Sequence, residues 1–200
     1  MNQKERMLKG LAYQAWLDGL PEERKENKRK IYRYNQLSPD DEEEQDRLIR
    51  AIVGKCGENI FVEQPFHCDY GYNIEVGNNF YANYNLTILD VGKVVIGKNV
   101  MIAPNVSIYT AGHPIHPEFR NLGYEYGIGI IIGDNVWIGG NAVINPGVHI
   151  GNSVVIGSGS VVTKDIPDNA LAAGNPCRVI RYITDEDKKY YFKKKEFDLK

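Results

Sequence analysis

The chain has 200 residues, 42% of them apolar and 25% charged, which suits one globular domain with small extensions. A balance of 24 basic against 26 acidic side chains gives no reason to expect nucleic acid or an anionic membrane as partner, and no apolar run approaches the ~20 residues that span a bilayer. Three scattered cysteines, Cys56, Cys68 and Cys177, lack the spacing of a disulfide framework or zinc knuckle, and the start MNQKERMLKG lacks the apolar stretch of a secretory signal, so a reduced, cytoplasmic protein is expected.

Residues 1–55 read as a helical segment. Met7, Leu8, Leu11, Ala12 and Ala15 fall on one face of a first helix, and Leu20-Pro21 interrupts it. A second helix carries Ile31 and Tyr34. Ser38-Pro39-Asp40-Asp41 reads as the start of a third, with proline at the first helical position and a capping acid. Leu48, Ile49, Ile52 and Val53 supply its apolar face, and Gly54 ends it. The charge runs 22–30 and 40–46 read as solvated helix faces.

From residue 56 a period of six takes over. Val76, Ala82 and Ile88 stand six apart, and after a two-residue slip the series resumes at Ile96, Ile102 and Ile108. It returns at Ile132, Ile138, Ile144, Ile150, Ile156 and Val162. Four residues after each of the last six lies a second small or apolar side chain: Val136, Ala142, Val148, Val154, Ser160 and Ile166. Turn formers such as Gly133-Asp134-Asn135 separate the units. A period of six belongs neither to a helix nor to a simple hairpin. It suits a solenoid whose coil has three flat sides, so residues eighteen apart stack: Ile132 on Ile150, Ile138 on Ile156, Ile144 on Val162. Each buried aliphatic contributes roughly 1.5–3 kcal/mol gross, and Asn, Asp and Gly tolerate the backbone angles of sharp corners. An open solenoid end needs a cover, which the helical segment can supply.

One stretch breaks the period. Residues 109–131 are rich in proline, glycine and aromatics, and a long insertion of that composition reads as a functional loop. It holds Gly-His-Pro-Ile-His-Pro, with His113 and His116; a neutral loop imidazole is suited to removing a hydroxyl proton. No cysteine or acidic cluster accompanies the pair, so a metal site is not expected. His149 reads as a solvent-facing solenoid residue. After residue 181, Thr184-Asp185-Glu186-Asp187 reads as the start of a short C-terminal helix running into the basic tail 193–195. The expected organisation is therefore a cap over 1–55, a solenoid over 56–181 with the loop 109–131, and a helical tail over 182–200.

The segments PFHCDYGYNI (65–74), NNFYANYNLTILD (78–90), IYTAGHPIHPEFRN (108–121), IGDNVWIGGNAVINPGVHIG (132–151) and GSGSVVTKDIPDNALAAGNPCRVIR (157–181) resemble the maltose/galactoside O-acetyltransferase family. The resemblance spans nearly the whole chain and is most specific around His113 and Trp137. It implies a left-handed parallel β-helix, a homotrimer, and transfer of acetyl from acetyl-CoA to a sugar hydroxyl without a metal or an acyl-enzyme. His113 matches the family's catalytic base. Asp69 and Asn83 match acceptor contacts, with Asp90 a nearby candidate. Gly140, Ser158, Thr163, Lys164, Arg178 and Arg181 match positions that contact CoA, where a narrow backbone takes the pantetheine arm and Lys and Arg pair with phosphates. Trp137 is typical of the family, with packing or a CoA or interface role as its alternatives.

The chain also departs from the pattern. Asp69 stands where galactoside-type members tend to have serine, Val91 replaces an acid, Glu125 lies where they carry methionine, and Asp18 is the nearest candidate for an acid of the first helical region. Acetylation of a non-sugar hydroxyl compound such as an antibiotic is the alternative within the fold. A metal-dependent hydratase would need three converging histidines, which the spacing of His67, His113 and His116 fits poorly. An ice-binding or scaffold solenoid would have no use for the histidine loop or the basic CoA positions.

Overall fold

The computed structural model describes residues 1–198, and its centre is the stack of rungs that the six-residue period anticipates. Three parallel sheets form the sides of a triangular coil. Face one holds strands Lys55–Cys56, Ile74–Val76, Val94–Ile96, Ile130–Ile132 and His149–Ile150. Face two holds Phe61–Val62, Tyr81–Ala82, Met101–Ile102, Trp137–Ile138, Val155–Ile156 and Ala170–Ala173, with Arg178–Tyr182 added antiparallel at its end. Face three holds His67–Cys68, Thr87–Leu89, Ser107–Tyr109, Val143–Ile144 and Val161–Val162.

The register matches the expected stacking. Ile132 pairs with Ile150, Ile138 with Ile156 and Ile144 with Val162, and all six are essentially fully buried. The earlier block stacks as Val76 on Ile96, Ala82 on Ile102 and Ile88 on Ile108. A still earlier coil of Cys56, Val62 and Cys68 lies beneath it; two of its three rungs are cysteines, so it escaped a search for aliphatics.

These early coils are twenty residues long rather than eighteen, and their two extra residues fall between face three and face one, after Cys68 and after Ile88. The long arm of residues 109–131 leaves from the same edge. Every insertion in the first three coils therefore accumulates on the three–one edge.

The N-terminal segment differs from the expected helices. The first, α1 (Gln3–Leu8), ends early because Gly10 takes a left-handed conformation (φ 67°). Leu8 and Leu11 are exposed, and Tyr13–Gln14 is a strand instead of a helix face. Leu20-Pro21 does not interrupt a helix but begins one, α2 (Leu20–Tyr34), with proline in its first turn, where a missing N–H costs nothing. Helix α3 (Glu42–Ile52) starts later than expected: Ser38–Asp41 closes as a turn, and Asp41 at the N-cap makes no side-chain cap bond. Ile31, Tyr34, Leu48, Ile49 and Ile52 join the solenoid core through Val62 and Phe66, covering its first coil. A second core of Met7, Tyr13, Ala15, Leu20, Tyr70 and Val91 fastens the N-terminus to the three–one edge.

At the other end, the expected C-terminal helix is a single 3-10 turn, Asp185–Lys189, capped by Thr184 and Asp187 and followed by the antiparallel strands Tyr190–Phe192 and Lys195–Glu196. Leu199 and Lys200 of the expected tail lie outside the described residues. No described helix is long and apolar enough to cross a membrane.

Candidate active site

The arm carries its own small sheet. Ala111–Gly112 pairs antiparallel with Tyr124–Gly127, which pairs in turn with Tyr13–Gln14, while α4 (Pro117–Asn121) makes the outer bend. Gly112 leaves room for the Tyr126 ring, which a Cβ would meet at 2.4 Å and have to displace. His113 follows it and is exposed. Its Nδ1 lies 3.3 Å from the Tyr124 carbonyl oxygen. A carbonyl only accepts, so Nδ1 carries the proton and Nε2 keeps a free lone pair in the neutral ring. His116 instead caps α4 by accepting from the Glu118 amide.

Below the arm, a polar cluster is sunk into the three–one edge. Asp69 is half-buried, and burial raises its pKa against the opposing charges of Arg24 and Lys28. Arg24 donates to the Tyr70 hydroxyl (3.0 Å) and the Ala15 carbonyl (2.9 Å), and lies over the Trp16 and Tyr70 rings. Burial pushes the Tyr70 phenol up to about 12. Burial also raises Glu125, while His113, Arg24 and Tyr13 favour its charged form. A cleft of about 940 Å³ opens between α2 and face three, lined by Lys28, Asn35, Gln36, His67, Asp69 and Leu89 among others.

Two of the four expected acceptor contacts also hold backbone in place. Asp90 is fully buried. Its carboxylate accepts the amides of Asp69 and Tyr70, each at 2.9 Å, so it fixes the turn that presents Asp69 and cannot itself touch an acceptor. Asp18 is exposed but accepts the Gln3 amide at 2.7 Å, tying down the start of α1. Asn83 is half-exposed on the two–three edge, a whole face away from Asp69 and the root of the arm; its Oδ1 accepts from the Tyr84 amide. Val91, where an acid is absent, is buried in the second core.

The donor positions also divide between edges. The two–three edge is a rail of mostly small residues: backbone ladders stack Asn83, Ala103, Gly139, Gly157 and Ala173, and beside them Pro104, Gly140, Ser158 and Gly174, with the exposed Tyr84 at one end. A Cβ on Gly139 would meet the Ser158 nitrogen at 2.6 Å, and one on Gly157 would meet the Ala173 Cβ at 2.8 Å. Arg178 pairs with Ala173 at the far end of this rail and is exposed. Thr163 and Lys164, also exposed, lie on the three–one edge instead, in line with Asp69 and the root of the arm. Arg181 forms a two-toothed ion pair with Asp187 (2.6 and 2.9 Å), beside Trp137 and Leu171 on the outside of face two. Trp137 is half-exposed there.

Two of the three thiols are buried. Burial holds Cys68 far toward its protonated form, and Asn27 donates to its sulfur at 3.3 Å; burial raises Cys177 as well. Among the described residues no three His, Cys, Asp or Glu side chains cluster with metal-binding geometry.

Residues 6–57 match the maltose acetyltransferase hexapeptide capping motif, and residues 129–164 match the bacterial transferase hexapeptide of six repeats. The galactoside O-acetyltransferase of Escherichia coli (strain K12) is 52% identical over 193 residues, covering 96% of this chain and 95% of its own. The structure of a galactoside acetyltransferase in complex with coenzyme A matches over the whole of both chains, with a TM-score of 0.97 and 50% identity. That of a maltose O-acetyltransferase from Clostridium difficile 630 has a TM-score of 0.91 and 54% identity, over 92% of this chain and 99% of that one.

Proposed function

Since the chain belongs to the maltose/galactoside O-acetyltransferase family of hexapeptide-repeat transferases, we propose that it moves the acetyl group of acetyl-CoA to a hydroxyl of a sugar, with His113 as general base. The observation that carries this reading is the tautomer that the arm imposes: Nδ1–H on the Tyr124 carbonyl, Nε2 free. Nε2 takes the proton of the acceptor hydroxyl as the oxygen attacks the thioester carbon. When the C–S bond breaks, the imidazolium returns the proton to the departing thiolate. No side chain is acylated, in keeping with the burial of the Cys68 and Cys177 thiols.

The small-residue rail accepts the pantetheine arm, since larger side chains would block it, and Arg178 at its end pairs with phosphate. Thr163, Lys164 and Arg181 complete the donor contacts. Asp69, at the rim of the cleft, orients the acceptor with Asn83. Because these groups lie on two different edges of one chain, the working assembly is a homotrimer in which the two–three edge of one copy faces the three–one edge of the next. The complexes with coenzyme A known for a related protein support the donor side of this reading.

Thiol release from acetyl-CoA across a panel of sugars tests it. His113→Ala should lose on the order of 10²–10⁴ in kcat; a variant that keeps the full rate would remove the imidazole from the mechanism.

A further inference from the structure

The arm sheet sets three side chains in one row. Antiparallel pairing puts Tyr13 opposite Glu125 on one side, and Gly112 opposite Tyr126 on the other. Continued by one residue, the second register puts His113 opposite Glu125. Residues directly opposed across antiparallel strands share a face, with Cβ atoms ~4.5–5.5 Å apart. Tyr13, Glu125 and His113 therefore project together across the sheet.

The electrostatics follow the register. Five groups face the half-buried Glu125 carboxylate: His113 from the arm, Arg24 from α2, Asp69 and Tyr70 from the first coil and Tyr13 from the N-terminal strand. Burial and Asp69 oppose its charge, while His113, Arg24 and Tyr13 favour it. The Tyr13 hydroxyl is buried without a hydrogen bond of ordinary geometry, and the Glu125 carboxylate is a group it stabilises. A carboxylate is thus kept beside the imidazole, in a partly desolvated setting where its field is less screened than in water.

The geometry points to Glu125 as a positioning residue for His113: its carboxylate stabilises the imidazolium formed in the transfer step, and Tyr13 keeps the carboxylate in the row. Glu125 acts by its charge, because the Nδ1–H is already taken by the Tyr124 carbonyl. It neither gains nor loses a proton. The hydroxyl proton moves to Nε2 and then to the thiolate, while one O–C bond forms and one C–S bond breaks. This inference rests on His113 being the base.

Glu125→Gln, Glu125→Asp, Tyr13→Phe and His113→Ala test it through kcat, acceptor KM and the pH profile of kcat/KM. Glu125→Gln is nearly isosteric, and should lower kcat roughly tenfold while acceptor KM stays within about twofold. Its acidic limb should move to lower pH, because an imidazolium that has lost a neighbouring negative charge deprotonates more readily. Glu125→Asp should return the limb toward its original position, and Tyr13→Phe should shift it the same way as Glu125→Gln, but less. An unchanged kcat and limb in Glu125→Gln would overturn the inference. So would a raised acceptor KM with kcat and limb intact, which would make Glu125 a sugar contact. Either result, combined with an inactive His113→Ala, leaves the base in place; an active His113→Ala overturns both readings together.

Discussion

Asp90 is the one acid among the buried polar residues described, and its burial has a thermodynamic signature. Burial raises its pKa from 3.8 to about 6, against the amides of Tyr70 and Asp69 that favour the charged form. The folded state then binds more protons than the unfolded state between these values. Stability contributed at this site is present at low pH and is lost as pH rises from about 4 to about 6. Asp90→Asn keeps an acceptor for the two amides and has no charge to bury. The difference in melting temperature between variant and wild type should grow in the variant's favour across that window and level off above it; a constant difference would mean that folding does not shift the Asp90 carboxyl. From sequence, an acid one residue past a strand looks the same whether its carboxylate faces inward or outward. That is why Asp90, expected as an acceptor contact, is found buried under the Asp69–Tyr70 turn, and why the bond from the Gln3 amide to Asp18 left no mark in the spacing.

The corners show how short strands hold their angle. At the one–two edge, Asn59, Asn79, Asn99 and Asn135 all have φ between 53° and 58°. Their side chains bond in series, Nδ2 to Oδ1, at 3.1, 2.9 and 3.0 Å. Asparagine tolerates the left-handed region, where most residues lose about 1–2 kcal/mol. Asn99→Ala should therefore destabilise by about 2–3 kcal/mol, through the backbone and two exposed hydrogen bonds, and Asn99→Gly by about half of that, since glycine removes only the bonds. Equal denaturation midpoints for the two variants would show that the backbone angle carries no strain. The same periodicity made the solenoid readable from sequence: Ile132 through Val162 stack as their spacing requires. The N-terminal helices were less readable. Apolar residues from Met7 to Ala15 fit a helical face, but Gly10 stops the helix, and Tyr13 is claimed by a strand more than a hundred residues away. Local spacing carries no trace of that partner.

At the scale of the whole molecule, the division of the candidate site between two edges makes a strong demand. Mixing two inactive proteins provides the check, one with His113→Ala on the three–one edge and one with Asn83→Ala on the two–three edge. Random reassembly of equal amounts into cyclic trimers gives about one intact site in four, so roughly a quarter of wild-type activity should return. If each chain used its own two edges, mixing would restore nothing.

The concentration of insertions on one edge has a further consequence. The rungs inside the coil are blind to how many residues turn the three–one corner, provided the next strand re-enters in phase. On the proposed division of the site, the Asp69 side of acceptor preference can therefore drift by lengthening, shortening or rewriting that seam, while the small-residue rail on the neighbouring edge stays as it is. Such a molecule separates what must be kept, the handling of the activated acyl group, from what is free to diversify, the alcohol that receives it.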